Sequence, residues 1–193
     1  LIMSACEMLT EPGLDNQFND DRVLNDPAFA EGILLRGYVL LPSDYTFDET
    51  ATDDAVSNER SNIYLRMATG EWSPQFNPLG NWDTAYDAIF NLNYFLSVVD
   101  RVEWSWQSDD RNEMFRNKFK GEALALRGYY YFKLLERFGG VASDGQLLGV
   151  PYLTEVISTE ENWELPRNTY DECIQLIQKD LEEAMALLPY MWE

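Results

Sequence analysis

The stretch from Ser108 to Gly140 constrains the fold more than any other part of the chain. Within it Phe115, Phe119, Ala123, Leu126, Tyr130 and Leu134 recur at three- and four-residue steps, the spacing that puts side chains on one face of an α-helix. A second stripe, Leu124, Gly128, Tyr131 and Leu135, runs along another side. A helix that is apolar on two sides has to lie between other helices, so the rest of the chain must supply them. Ser108 followed by Asp109 and Asp110 predicts an N-cap with acidic first-turn residues. Gly139-Gly140 predicts a left-handed stop after Phe138.

The flanking sequence does supply partners. Asp26-Pro27 reads as a helix start, with the acid at the N-cap and proline at the first position. Phe29, Ile33, Leu34, Tyr38 and Leu41 then keep helical spacing up to Pro42. Trp82, Ala85, Tyr86, Ile89, Phe90, Asn93, Leu96 and Val99 predict another helix, ending near Glu103. Thr169-x-x-Glu172 is a capping box. Behind it Tyr170, Cys173, Ile174, Ile177, Leu181, Ala184, Met185 and Leu188 form a stripe stopped by Pro189. Residues 43–80 show no sustained period and read as loop, as does the region 141–168 around Gly149-Val150-Pro151-Tyr152. With four long helices and no credible strand pair, the expectation is an all-α protein of irregular tetratricopeptide-like helix pairs joined by long loops.

Composition then removes whole classes of function. The chain has no histidine, which excludes Ser–His and Cys–His nucleophiles, His-ligated zinc and His general bases. A net charge of −20 argues against a nucleic-acid partner, since phosphate binding rests on clustered Lys and Arg. No Gly at a sharp turn accompanies the acids of 44–54, so they do not form a calcium loop, and no metal or cofactor motif is visible. No apolar run is long enough to cross a bilayer as a helix. Of the two cysteines, Cys173 falls on an apolar helix face and reads as a buried hydrophobe. Cys6 ends the run Leu1-Ile2-Met3-Ser4-Ala5-Cys6, where apolar then small residues precede a cysteine as at the close of a bacterial lipoprotein signal. On this reading 1–5 is the remnant of a signal peptide, Cys6 is the lipidation site, and the polar stretch 6–25 is a lipid-anchored tether.

Two blocks carry a resemblance. Residues 121–141, Gly121-Glu122-Ala123-Leu124-Ala125-Leu126-Arg127-Gly128-Tyr129-Tyr130-Tyr131-Phe132-Lys133-Leu134-Leu135-Glu136-Arg137-Phe138-Gly139-Gly140-Val141, closely resemble the central signature of the SusD-like (RagB/SusD) nutrient-uptake lipoproteins. In that family a helix reading roughly GEAxxLRAxYYFxL ends in FGxVP. Here Gly128 replaces the common Ala, and the VP is displaced to Val150-Pro151 by an inserted loop over 142–148. The second block, Pro166-Arg167-Asn168-Thr169-Tyr170 followed by Asp180-Leu181 and Leu188-Pro189, is similar to the family's RxT…DLxxA…LP stretch. Ala51-Thr52-Asp53-Asp54-Ala55 and Trp82-x-x-x-Tyr86 match upstream positions. The resemblance implies a glycan-capturing lipoprotein, anchored by lipid on the outer-membrane surface, that partners a SusC-like TonB-dependent transporter. It also implies that 26–193 is an N-terminal helical region cut before a C-terminal half that supplies much of the ligand surface.

No catalytic residue is assigned. Sugar recognition uses aromatic faces for stacking and carboxylates, amides and Arg for the hydroxyls, and the aperiodic segment holds Asp53, Asp54, Arg66, Trp72, Gln75, Phe76, Asn77 and Trp82. The resemblance places a stacking Trp at Trp72 and a hydrogen-bonding Asn at Asn77. Asp53, Asp54 and Arg66 complete the candidate ligand set, while Trp82 reads as the first core residue of its helix. Asp53 and Asp54 are adjacent, so in extended chain they face opposite ways and do not suit a shared hydrolytic role. Trp104 and Trp106 read as semi-exposed, with packing on their turn favoured over a partner contact. Two other readings stand beside glycan capture: a tetratricopeptide-like adaptor for another protein, and a glycoside hydrolase built on a carboxylate pair that no motif singles out.

Overall fold

A computed structural model describes residues 20–42, 47–73, 75–157 and 164–189. The lipobox run and Cys6 lie outside these residues. The protein is all-α: α1 (Asp20–Asn25), α2 (Pro27–Val39), α3 (Ile63–Arg66), α4 (Trp82–Val98), α5 (Asp109–Phe138) and α6 (Tyr170–Leu187). Packing follows chain order, α1 on α2, α2 on α4, α4 on α5 and α5 on α6, with α2 also reaching α5. The doubly apolar α5 therefore sits where its two stripes require. Phe119, Ala123, Tyr130 and Leu134 are buried, as are Leu124, Tyr131 and Leu135 on the other face.

The caps follow the sequence at three starts. Asp26 accepts from the Ala28 N–H at 3.1 Å, Ser108 from Arg111 N–H at 3.3 Å, and Thr169 from Glu172 N–H at 3.2 Å. The Thr169 N–H in turn donates to the Glu172 carboxylate at 2.9 Å, closing the capping box and holding that carboxyl below its ordinary pKa.

Several expectations are corrected. Residues 20–25, read as tether, are helical, and Val23 is fully buried in the main core. The left-handed stop after α5 is absent: Gly139 is extended at φ −66, ψ 145. Glycine is needed there for space instead, because a Cβ would lie 2.5 Å from the Leu135 carbonyl oxygen and 2.9 Å from the Tyr170 ring. The inserted loop after Val141 is a small hairpin. β1 (Gly140–Val141) pairs antiparallel with β2 (Leu147–Leu148), Gly140 opposite Leu148, and Gly145 turns the chain at φ +87. Residues 47–71, read as loop, hold a 3-10 turn at Asp48–Ala51, the short α3, and a wide helical turn at Met67–Glu71. None is long enough to show a period.

The α6 stripe is only partly covered. Cys173, Ile177 and Ala184 are buried, but Leu181 is 39% exposed and Met185 71% exposed. Leu181 lies over Gly128, where a Cβ would meet its Cδ2 at 3.1 Å, so the glycine in place of the family's alanine lets α5 and α6 approach closely. Of the four consecutive aromatics 129–132, Tyr130 and Tyr131 are core, whereas Tyr129 and Phe132 face outward, as four successive helical positions circle the axis. Trp104, read as semi-exposed, is buried and donates its indole N–H to the Val99 carbonyl at 3.0 Å; Trp106 is exposed.

Candidate functional site

Two polar constellations stand out, and only one has the exposure a ligand needs. The buried one joins α4, α5 and α6. Arg127 donates Nε and Nη2 to the Asp180 carboxylate at 2.7 and 2.6 Å, with the two side chains 7% and 6% exposed. Its Nη1 donates to Asn93 Oδ1 at 2.8 Å, and Tyr152 donates its hydroxyl to Asp180 Oδ2 at 2.9 Å. Burial pulls the Arg127 guanidinium down, but the bonds to Asp180 hold it above its ordinary value. Burial and then the Asp180 charge push the Tyr152 phenol upward.

Around this pair the extended segment 149–155 is pinned to three helices. Tyr86 of α4 donates to the Pro151 carbonyl at 2.7 Å. Tyr131 of α5 donates to the Leu153 carbonyl at 3.0 Å and accepts from the Leu153 N–H at 2.6 Å. Asn93 Nδ2 donates to the Leu153 carbonyl at 3.0 Å, and Arg167 Nε to the Gly149 carbonyl at 2.6 Å. The Tyr131 and Tyr152 rings stack with centroids 3.6 Å apart. Every polar group here is engaged, so this constellation fixes the backbone and offers little to a ligand. Sequence reasoning missed its role, although Arg127 and Asp180 are the Arg and Asp of the two signature blocks.

The exposed constellation lies in 47–84. Asn62 caps α3, its Oδ1 accepting from the Tyr64 and Leu65 N–H groups at 3.0 Å each and from the Thr50 hydroxyl at 3.2 Å. That ties the 48–51 turn to α3. Arg66, at the end of α3, donates Nε and Nη2 to one Glu71 oxygen at 2.9 and 2.6 Å, and its guanidinium carbon lies 4.4 Å from the Phe76 ring centroid. Glu71, first through its bonds from Arg66, is held below its ordinary pKa.

Ser73 and Phe76 exchange backbone hydrogen bonds at 3.1 and 3.0 Å, an antiparallel bridge. The residues that flank this bridge are Trp72, 64% exposed, and Asn77. Asn77 Oδ1 accepts from the Leu79 N–H at 3.2 Å, which leaves its Nδ2 hydrogens without a protein partner among the described residues. Arg137 of α5 donates to the Leu79 carbonyl at 2.7 Å and moors the base of this turn to the bundle.

The structure thus brings Trp72, Asn77 and Arg66 into one neighbourhood. Asp53 and Asp54 are exposed just after the 48–51 turn, and the Asp54 bonds are local, to the Thr52 hydroxyl. Trp82, expected in the core, is half-buried, edge-on to Phe138 at 5.0 Å and tilted against Tyr86 at 4.8 Å. It separates a polar cavity of about 310 Å³, lined by Gln75, Asn77, Asn81, Asp83 and Thr84 with Trp82 and Phe138, from an apolar one of about 390 Å³ that also borders Tyr86, Phe90 and Leu165. Among the described residues no group of His, Cys, Asp and Glu is placed to hold a metal ion, and no helix is long and apolar enough to cross a membrane.

A helical bundle of this connectivity, with its signature residues locked inside and its aromatics and amides displayed on an irregular segment, has the build of a binding protein. The comparisons name the class. Residues 33–193 match the SusD-like family described as "Starch-binding associating with outer membrane", and the chain belongs to that family. It is 22% identical over 194 aligned residues to SusD-like protein P38 of Formosa agariphila, covering 95% of this chain and 34% of that protein. Its fold matches a SusD-like protein from Bacteroides fragilis with a TM-score of 0.66 at 23% identity, over 91% of this chain and 32% of that one. A laminarin-binding SusD-like protein matches with a TM-score of 0.63 at 22% identity, over 86% of this chain and 34% of that one. The chain therefore spans about a third of the length of these relatives.

Proposed function

We propose that this chain is the N-terminal helical region of a cell-surface glycan-binding lipoprotein. It captures a polysaccharide or its oligosaccharides without cleaving them and passes them to a SusC-like TonB-dependent transporter. Lipid on Cys6 holds it to the outer membrane. Trp72, Asn77 and Arg66 form the sugar-facing group, and Asp53 and Asp54 serve it from the neighbouring turn. One observation supports the reading: the Ser73–Phe76 bridge is flanked by a largely exposed Trp72 and by Asn77, whose amide hydrogens are unused among the described residues, a flat apolar face and a hydrogen-bonding edge of the kinds a pyranose ring needs. The net charge of −20 favours a neutral glycan, since a polyanion would be repelled over the whole surface. The family description and the laminarin-binding relative point the same way.

Titration of the full-length protein with starch- and laminarin-derived oligosaccharides tests the reading, with Trp72→Ala as the comparison. Loss of one stacking anchor lowers affinity by about one to two decades. No affinity for any neutral glycan, or an unchanged affinity in Trp72→Ala, contradicts it. For the anchor, Cys6→Ala releases the full-length protein from the membrane fraction and abolishes palmitate labelling; retention and labelling of that variant contradict lipidation at Cys6.

A further inference from the structure

The apolar cavity beside Trp82 is built mainly by α4 and by the extended stretch that follows Gly149. Trp82, Tyr86 and Phe90 recur every four residues along α4, so their rings fall on one side of the helix. All three line the cavity, and Ile89, Leu153 and Leu165 add to its apolar wall. Trp82 and Phe90 are 37% and 47% exposed, whereas the neighbouring Ile89 is fully buried. The polar lining divides into groups already engaged and groups that face water. The Tyr86 hydroxyl donates to the Pro151 carbonyl, and the Asn93 amide meets Arg127 and the Leu153 and Glu155 carbonyls. Glu155 and Glu164 are exposed lining residues, and among the described residues no Lys or Arg lines the cavity with them. From Pro151 to Pro166 the sequence holds four glutamates and no Lys or Arg.

We propose that this cavity binds a small organic cation, an ammonium or guanidinium group carried on an apolar stem. Aromatic faces attract a cation through the ring quadrupole, most strongly for Trp, and the two glutamates answer the same charge. An anion would be repelled by Glu155, Glu164 and a chain of net charge −20. A sugar would find few groups for its hydroxyls, since Tyr86 and Asn93 are engaged. A wholly apolar body would fill the walls and gain nothing from the carboxylates. A cation on an apolar stem uses both. At about 390 Å³ the space lies toward the small end of ligand pockets, which suits an amine bearing one ring or a branched aliphatic group. The site shares no residue with the Trp72 group, and the inference does not depend on glycan binding.

The test is calorimetric titration of the full-length protein with three probes that share a phenyl ring: phenethylammonium, the neutral phenethyl alcohol and the anion phenylacetate. Phenethylammonium binds about tenfold more tightly than the alcohol, its affinity falls as salt is raised, and phenylacetate does not bind. Two variants locate the site. Phe90→Leu keeps an apolar side chain at an exposed helix position and removes the ring face, and Glu155→Gln removes one charge outside the helices. Each narrows the gap between ammonium and alcohol, and thermal melts show the fold intact. Equal affinity for ammonium and alcohol overturns the inference, as does an ammonium affinity that neither variant lowers. Binding of an end-blocked lysine peptide in place of the small ammonium also overturns it, and gives the cavity to a protein partner.

Discussion

The 149–155 segment and the 47–80 segment are both irregular stretches between helices, yet they are held in opposite ways. The first is threaded between α4, α5 and α6, its backbone satisfied by Tyr86, Asn93, Tyr131 and Arg167 and its centre stacked on Tyr131. The second is built from short turns capped by its own residues, Asn62 and Thr52, with Arg66 paired to Glu71 in solvent. Arg137 moors its far end to the bundle through the Leu79 carbonyl. The difference teaches where each kind of polar residue is used. Charges buried in pairs fix the chain path, while charges and aromatics on a self-capped surface segment stay available to a ligand.

The comparison predicts very unequal costs. The largest belongs to the buried pair: Asp180→Ala leaves Arg127 charged and unanswered and lowers stability by about 3–5 kcal/mol. A loss as small as that of a surface ion pair would remove the distinction between the segments. Leu181→Ala costs about 1–2 kcal/mol in chemical denaturation, less than a fully buried leucine, because its outer face is in solvent. Thr169→Ala removes the α6 cap and costs about 1 kcal/mol. The capping carboxylate adds a pH signature. Its folded pKa is depressed, so its contribution is complete above the unfolded value and lost as pH falls through the folded one. Glu172→Gln therefore flattens the acid limb of a stability–pH profile, and an unchanged limb contradicts the capping box as a source of stability. The smallest effect is at the other segment: Trp72→Ala keeps stability within about 0.5 kcal/mol, while Arg66→Ala leaves the melting temperature where it was.

The same contrast explains what could be read in advance. The four long helices were legible because burial imposes a period, and the N-caps at Asp26, Ser108 and Thr169 because capping needs a particular side chain at one position. The signature blocks named the family through Arg127 and Asp180, but nothing in their spacing says that the two meet. They lie 53 positions apart, and such a contact depends on the register of α5 against α6. Leu181 and Met185 are more exposed than their place on the stripe predicts for a related reason: periodicity reports a stripe's polarity and says nothing of how much of it a neighbour covers. In the 47–80 segment the residue types point to sugar chemistry, whereas the Ser73–Phe76 bridge between Trp72 and Asn77 is a backbone pairing that no pattern of side chains encodes. The cavity by Trp82 was hidden because its walls come from a turn, the first turn of α4 and the end of α5.

Native-state hydrogen exchange on the full-length protein, with and without a bound neutral oligosaccharide, tests most directly the claim that the helices hold the fold and the 47–80 segment holds the ligand. The account predicts that amides of α4, α5 and α6 exchange only through the slowest, global opening and do so equally in both states. The amides of Ser73, Phe76 and Gly80 exchange fast in the free protein and slow markedly when sugar is present. Protection gained in the α5–α6 core, with the Ser73–Gly80 turn unchanged, would contradict it.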